Sequence, residues 1–189
     1  MSRRAEIEAV VEAILFAAPE PLARDRLLEL FPKDQPEVVE EALAAVGERY
    51  REEPHRGIVF EQVAGGVRLV TRPELHGALR KFFEITGRSR LSMAGLETLA
   101  IVAYRQPVTG PEIQDLRSVG SSGVLRTLLE RRLVRIAGRK PVVGKPFLYR
   151  TTREFLMHFG LQSLDDLPPL EEFEELVGEV EPAHEDGEE

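Results

Sequence analysis

The residues able to do chemistry are few, and their spacing argues against catalysis. The four histidines, His55, His76, His158 and His184, never fall at the H-x-x-x-H separation that puts two imidazoles on one helix face for a metal. There is no cysteine, which removes thiol nucleophiles, thiolate-bound zinc and disulfides. No P-loop is present, and no G-x-G-x-x-G follows a strand-like run. Ser121-Ser122-Gly123 resembles a phosphate nest only faintly and reads better as entry to a helix. Carboxylates are abundant, but they lie on helix faces or in the C-terminal segment. These patterns predict no enzyme, no cofactor and no metal.

One group of side chains does suggest binding chemistry. Between Arg117 and Arg153 there are ten basic residues opposed only by Glu130. A face bearing Arg126, Arg131, Arg132, Arg139, Lys140 and Lys145 could neutralise phosphates. Against base reading, the helix over 121–133 offers Ser121, Ser122, Arg126, Thr127 and Glu130 once its apolar face is set aside. One long basic side chain provides little bidentate readout. The corresponding helix of the N-terminal half carries Glu37, Glu40, Glu41 and Glu48, which repel a phosphate backbone. The chain also prefers Arg to Lys throughout, so genomic composition accounts for part of the run. A protein-binding scaffold is favoured, with a winged-helix DNA-binding transcriptional regulator and nonspecific DNA contact as alternatives.

The elements that must position these residues occur twice. "EPLARDRLLEL" (20–30) and "QPVTGPEIQDL" (106–116) match at a constant offset of 86: Pro21 with Pro107, Leu22 with Val108, Leu27 with Ile113, Leu30 with Leu116. Each follows an apolar helix, and each precedes an amphipathic one, "PEVVEEALAAVGERYREE" (36–53) and "SSGVLRTLLERRL" (121–133), the latter with Val124, Leu125, Leu128 and Leu129 on one face. A hairpin follows in both halves. The first is "IVFEQVAGGVRLVT" (58–71), turning at Gly65-Gly66. The second joins "LVRIAG" (133–138) to "FLYRTT" (147–152). Both lead into T-x-x-E boxes, at Thr71 to Glu74 and Thr151 to Glu154, which announce a further helix. A third box, Thr109 to Glu112, opens the helix after the break at Gln106-Pro107.

The order helix, helix, helix, hairpin, helix, repeated, predicts a mainly α protein with small β-hairpins: two tandem winged-helix domains. The expected division is 1–84, a linker at 85–90 within the polar "EITGRSR", 91–170, and a tail over 171–189. Net charge is −8, yet the tail alone holds ten acidic residues and no Lys or Arg, leaving +2 on residues 1–170. The tail reads as a disordered, solubilising end, with Leu167, Pro168, Pro169 and Leu170 closing the folded region. The N-terminal "MSRRAEIEAVVEAILFAAPEPL" is not a signal peptide, because Glu6, Glu8 and Glu12 interrupt its apolar run. No run approaches the roughly 18 residues a membrane span needs. A cytoplasmic protein is expected.

The segment "LSMAGLETLAIVAYRQPVTGPEIQDLRSV", with "VLRTLLERRLVRIAGRK" and "GKPFLYRTTREFLMHFGLQSLDDLPPL", resembles the segregation and condensation protein B family. The resemblance is most specific over 91–170 and looser in "EAILFAAPEPL" and "GGVRLVTRPEL". It departs at Arg117-Ser118, where the family usually has Gly after the Arg. The resemblance implies a homodimer formed by the first domain. It also implies a bound kleisin subunit, segregation and condensation protein A, and through it the SMC ATPase and the nucleoid, with no catalytic or small-molecule role. The dimer stripe expected from helical spacing is Ile7, Val10, Val11, Ile14 and Leu15, which serves equally well as intradomain core. For the kleisin, Tyr104, Arg105 and Gln106 at the helix corner and Phe147 and Tyr149 in the second wing are hot-spot residue types; core packing is the alternative for these too.

Overall fold

The computed structural model describes residues 2–51, 55–83, 91–117 and 122–169. The linker at 85–90, Ser118, Ser121 and the tail over 171–189 lie outside them.

In the first half, α1 (Arg3–Ala17) begins at Ser2, whose hydroxyl accepts from the Ala5 amide. Its Ile7, Val11 and Leu15 recur every four residues, so one stripe is buried. That stripe packs on α3 (Pro36–Arg51), which enters on a proline and buries Val39, Ala42, Leu43, Val46 and Tyr50. Between them run β1 (Leu22–Ala23) and α2 (Arg24–Glu29). The wing is β2 (Ile58–Val63) and β3 (Gly66–Thr71), and β1 adds to β3, giving an antiparallel sheet of order β1-β3-β2. A 3₁₀ turn at Pro73–Leu75 leads into α4 (His76–Phe82), which buries none of its residues.

The second half repeats this plan. It consists of α5 (Met93–Arg105), β4 (Val108–Thr109), α6 (Gly110–Arg117), α7 (Ser122–Glu130), β5 (Val134–Arg139), β6 (Phe147–Thr151) and α8 (Arg153–Phe159). Its sheet has the order β4-β6-β5. The two cores are separate: one gathers residues from Ile7 to Val67, the other from Leu99 to Phe155. Two winged helices are thus present, and the offset of 86 is kept by the short strands and by the third and fourth matched pairs, while Pro21 is buried and Pro107 exposed. Leu27 and Ile113 are both buried, while Leu30 and Leu116 both face outward. The short strands β1 and β4, absent from the sequence reading, also sit 86 residues apart.

Three local readings shift by one residue, for one reason: the strand ladders run further than the turn signals suggest. The first hairpin turns at Ala64-Gly65, both at positive φ, and not at Gly65-Gly66. Gly66 already pairs with Val63 and with Ala23. A Cβ there would lie 2.8 Å from the Leu22 carbonyl oxygen, so glycine is what lets β1 approach β3. Thr71 remains in the ladder opposite Ile58, so Arg72 stands at the cap of the next turn and the Thr71–Glu74 box does not form. Thr151 likewise pairs with Val134, and Thr152 caps α8 instead, accepting from the Phe155 amide at 3.1 Å.

Gly66→Ala should therefore cost about 1–3 kcal/mol, since the clash is with backbone. Gly77→Ala in α4, where nothing lies within 4 Å, should stabilise by up to about 1 kcal/mol. Urea midpoints of the two variants, moving in opposite directions, check this.

Candidate functional site: an apolar groove in the second winged helix

Helix α5 carries two stripes. Gly95, Thr98, Leu99 and Val102 face the core. Met93, Leu96, Ala100 and Tyr104, spaced at three to four residues, lie on a neighbouring face. At the far end of the wing, α8 stops at Gly160, which adopts φ +70°. The Leu161 amide bonds back to the Leu156 carbonyl at 2.9 Å, turning the chain toward α5. A second turn at Leu164–Asp166 is fixed by Asp166, whose carboxylate accepts from the Gln162 and Ser163 amides at 2.7 and 3.1 Å. The Tyr104 hydroxyl then donates to the Pro168 carbonyl at 2.6 Å, fastening this return segment alongside α5.

Together α5, α8 and residues 161–168 enclose an open groove of about 380 Å³. Its walls are apolar apart from Glu97 at the rim. Met93 (47% exposed), Leu96 (37%) and Phe159 (44%) offer carbon surface to solvent that their own domain leaves uncovered. Such a groove accepts the apolar face of a helix. Sequence reasoning missed Met93, Leu96, Ala100 and Phe159. The signal was the second apolar stripe on α5, visible as an excess beyond what one buried face needs.

The helix corner beneath the groove is built for structure. Gln106-Pro107 is a cis peptide. Gln106 spends its amide internally: Nε2 donates to the Ala103 carbonyl and to Thr151 Oγ1, and Oε1 accepts from the Thr151 amide, all at 3.0 Å. Thr109 and Glu112 form the reciprocal capping box read from the sequence. Glu112 Oε2 accepts from the Thr109 amide at 2.8 Å and hydroxyl at 2.7 Å, and Thr109 Oγ1 accepts from the Glu112 amide at 3.4 Å.

The Lys140 ammonium, bonded to Glu112, and the two Thr109 bonds hold the Glu112 carboxyl down at about 2, below its ordinary 4.5. A depressed carboxylate contributes stability above its unfolded pKa and loses it as pH falls through the folded value. Glu112→Gln should cost about 1 kcal/mol at pH 6, with solvent screening limiting the ionic part. The difference from the parent should shrink between pH 4.5 and pH 2, read as converging urea midpoints.

The remaining expected site residues are distributed as follows. Of the kleisin set, Tyr104 lines the groove, while Arg105 is exposed beside it. Gln106 is committed to the corner. Tyr149 packs against the second core, and Phe147 lies in the wing under the Arg139 guanidinium, 3.9 Å from its ring centroid. These five do not form one surface. Of the dimer stripe, Ile7, Val11 and Leu15 are at most 1% exposed and belong to the first core. They are unavailable to a second chain without unpacking the domain. Val10 is exposed and Ile14 half-buried.

Of the basic face, Arg126 pairs with Glu130 and Lys140 with Glu112. Arg131, Arg132, Arg139 and Lys145 are exposed. Arg117 leaves that group: its side chain is 6% exposed, held by Glu97 at 3.0 Å and Thr98 at 2.9 Å. Among the described residues no group of three or more His, Asp or Glu is placed to hold a metal, and no helix is long and apolar enough to cross a membrane.

Two winged helices in tandem, with an apolar groove in the second, define a tandem winged-helix protein. The model of the family described as segregation and condensation complex subunit ScpB matches residues 9–170. Segregation and condensation protein B of Syntrophotalea carbinolica is 48% identical over 176 residues, 93% of this chain and 88% of the relative. That of Symbiobacterium thermophilum is 45% identical over 86% of this chain and 73% of its own length. The crystal structure of ScpB from Mycobacterium tuberculosis has 30% identity, covers 85% of this chain and 99% of its own, and superposes with a TM-score of 0.40. The chain belongs to the segregation and condensation protein B family.

Proposed function

We propose that this protein is a non-catalytic, cytoplasmic subunit of a chromosome segregation and condensation complex, holding a helical segment of the kleisin subunit in the groove of its second domain. The observation that carries this reading is the groove itself: an open channel walled by Leu96, Ala100, Tyr104, Phe159 and Leu161 with almost no polar lining. The proposed division is 1–84 for a dimerising domain, 85–90 for a linker, 91–170 for the kleisin-binding domain and 171–189 for an acidic tail, supported by the separate cores and sheets of the two halves.

Dimerisation is assigned to the first domain, but to different residues from the buried stripe of α1. Leu75 in the turn before α4, Phe82 at its end and Phe83 just after it are 42%, 78% and 61% exposed, and the helix between them has no buried residue. An apolar face of that kind calls for a partner. Light scattering on a size-exclusion column, with and without the kleisin, tests both parts. A dimer that co-elutes with the kleisin as one species is expected. A monomer, or a dimer that ignores the kleisin, refutes the corresponding part.

A further inference from the structure

The two wings share a strand order but differ in charge. In the first, Glu61 and Arg68 face each other across the strands and bond at 2.6 Å. In the second, the run from Arg131 to Thr152 holds seven cations and no acid. Counting from the ladder pair nearest the third helix, Ile58–Thr71 in one wing and Val134–Thr151 in the other, the next pair is Val59–Val70 in the first and Arg135–Arg150 in the second. Like charges placed directly across a ladder repel. Both arginines are exposed, and neither meets a carboxylate among the described residues. Of the five wing cations, Lys140 alone is neutralised there, by Glu112.

The ribbon is also held stiff. Lys140 N–H bonds to the Pro146 carbonyl, Lys145 N–H to that of Val142, and Arg139 Nη1 to that of Lys145, each at 2.9 Å. Arg139 is further fixed over Phe147. The tip carries Val143, fully exposed, with no core beneath it. A fixed cationic ribbon with a repelling arginine pair is poorly suited to be a free surface. It fits a polyanion. A two-stranded ribbon enters the major groove of duplex DNA, about 12 Å wide, and its flanks then meet phosphates on both strands.

The geometry points to the second wing as a sequence-independent contact to duplex DNA, with Arg135, Arg150 and Lys145 on the phosphates. With these cations placed on phosphates, which carry no sequence information, affinity comes from released counterions.

The test uses the full-length protein and fluorescence anisotropy with a labelled 30-base-pair duplex of arbitrary sequence. If about four cations engage, affinity should fall roughly 100-fold between 50 and 200 mM salt, and a second duplex of unrelated sequence should bind equally. Arg135→Ala/Arg150→Ala should lower the salt slope by about 2. Its melting temperature should be unchanged or raised, because the repelling pair is gone. Gel-filtration binding of the kleisin should be unaffected. Three results overturn the inference: no duplex binding at 50 mM salt, a double variant that binds the duplex like the parent, or a double variant that loses the kleisin instead.

Discussion

Leu96→Asp should abolish co-elution with the kleisin while leaving the protein folded. Leu96 is 37% exposed on α5, and its side chain lines the groove floor without entering the buried cluster around Leu99 and Val102. Replacing it costs the helix only the propensity difference, about 0.5 kcal/mol or somewhat more. In the proposed complex the kleisin segment would cover this position. The substitution then removes apolar contact and strands a carboxylate in a desolvated channel with almost no polar lining. Loss of a central anchor costs at least about 2 kcal/mol, and the buried charge adds to it, so the Kd should rise by about 100-fold or more. Circular dichroism and the melting temperature should match the parent. Raising salt should weaken the parent complex little, in contrast to the duplex contact. Unchanged co-elution of the Leu96→Asp protein would move the kleisin off this groove.

The second large effect concerns the repeat. Leu27 and Ile113, 86 residues apart, are 2% and 0% exposed, each closing its own core beneath the second helix of its domain. Truncation of either to alanine should destabilise by about 2–5 kcal/mol, the transfer cost plus that of the cavity left behind. Leu30 and Leu116 occupy the next matching pair and are 50% and 57% exposed. Their alanine variants should stay within about 0.5 kcal/mol of the parent. Urea unfolding of the four variants provides the check: two large midpoint losses and two near-zero ones, paired by position in the repeat. Equal losses at Leu27 and Leu30 would mean that the repeat does not carry equivalent packing.

How legible the fold was follows from particular elements. The break at Gln106-Pro107, the capping box at Thr109 and Glu112, and both wings were readable, because each depends on neighbours within a few residues. The strands β1 and β4 were not. Two residues carry no periodicity, and they become strands only because β3 and β6 lie beside them. The same long-range pairing holds Thr71 and Thr151 in their ladders and displaces the helix starts that follow. Of the residues expected at the site, Tyr104 lines the groove, whereas Phe147 and Gln106 lie away from it. Residue type suggested a contact surface, whereas the neighbours that occupy those side chains, Arg139 and Thr151, come from elsewhere in the chain.

By itself the sequence determined that this is a duplicated, mainly helical protein, and that its second half is basic and its end acidic. Those properties sit in residue types, local spacing and a repeat, which need no folding to exist. The tertiary structure decided which of two apolar stripes on one helix is core and which is groove, and that Ile7, Val11 and Leu15 face inward. It also decided that the Arg117 side chain is covered and paired with Glu97 while Arg135 and Arg150 meet no carboxylate among the described residues. The physical reason is that burial and charge pairing belong to pairs of residues far apart in the chain, and only packing brings such pairs together.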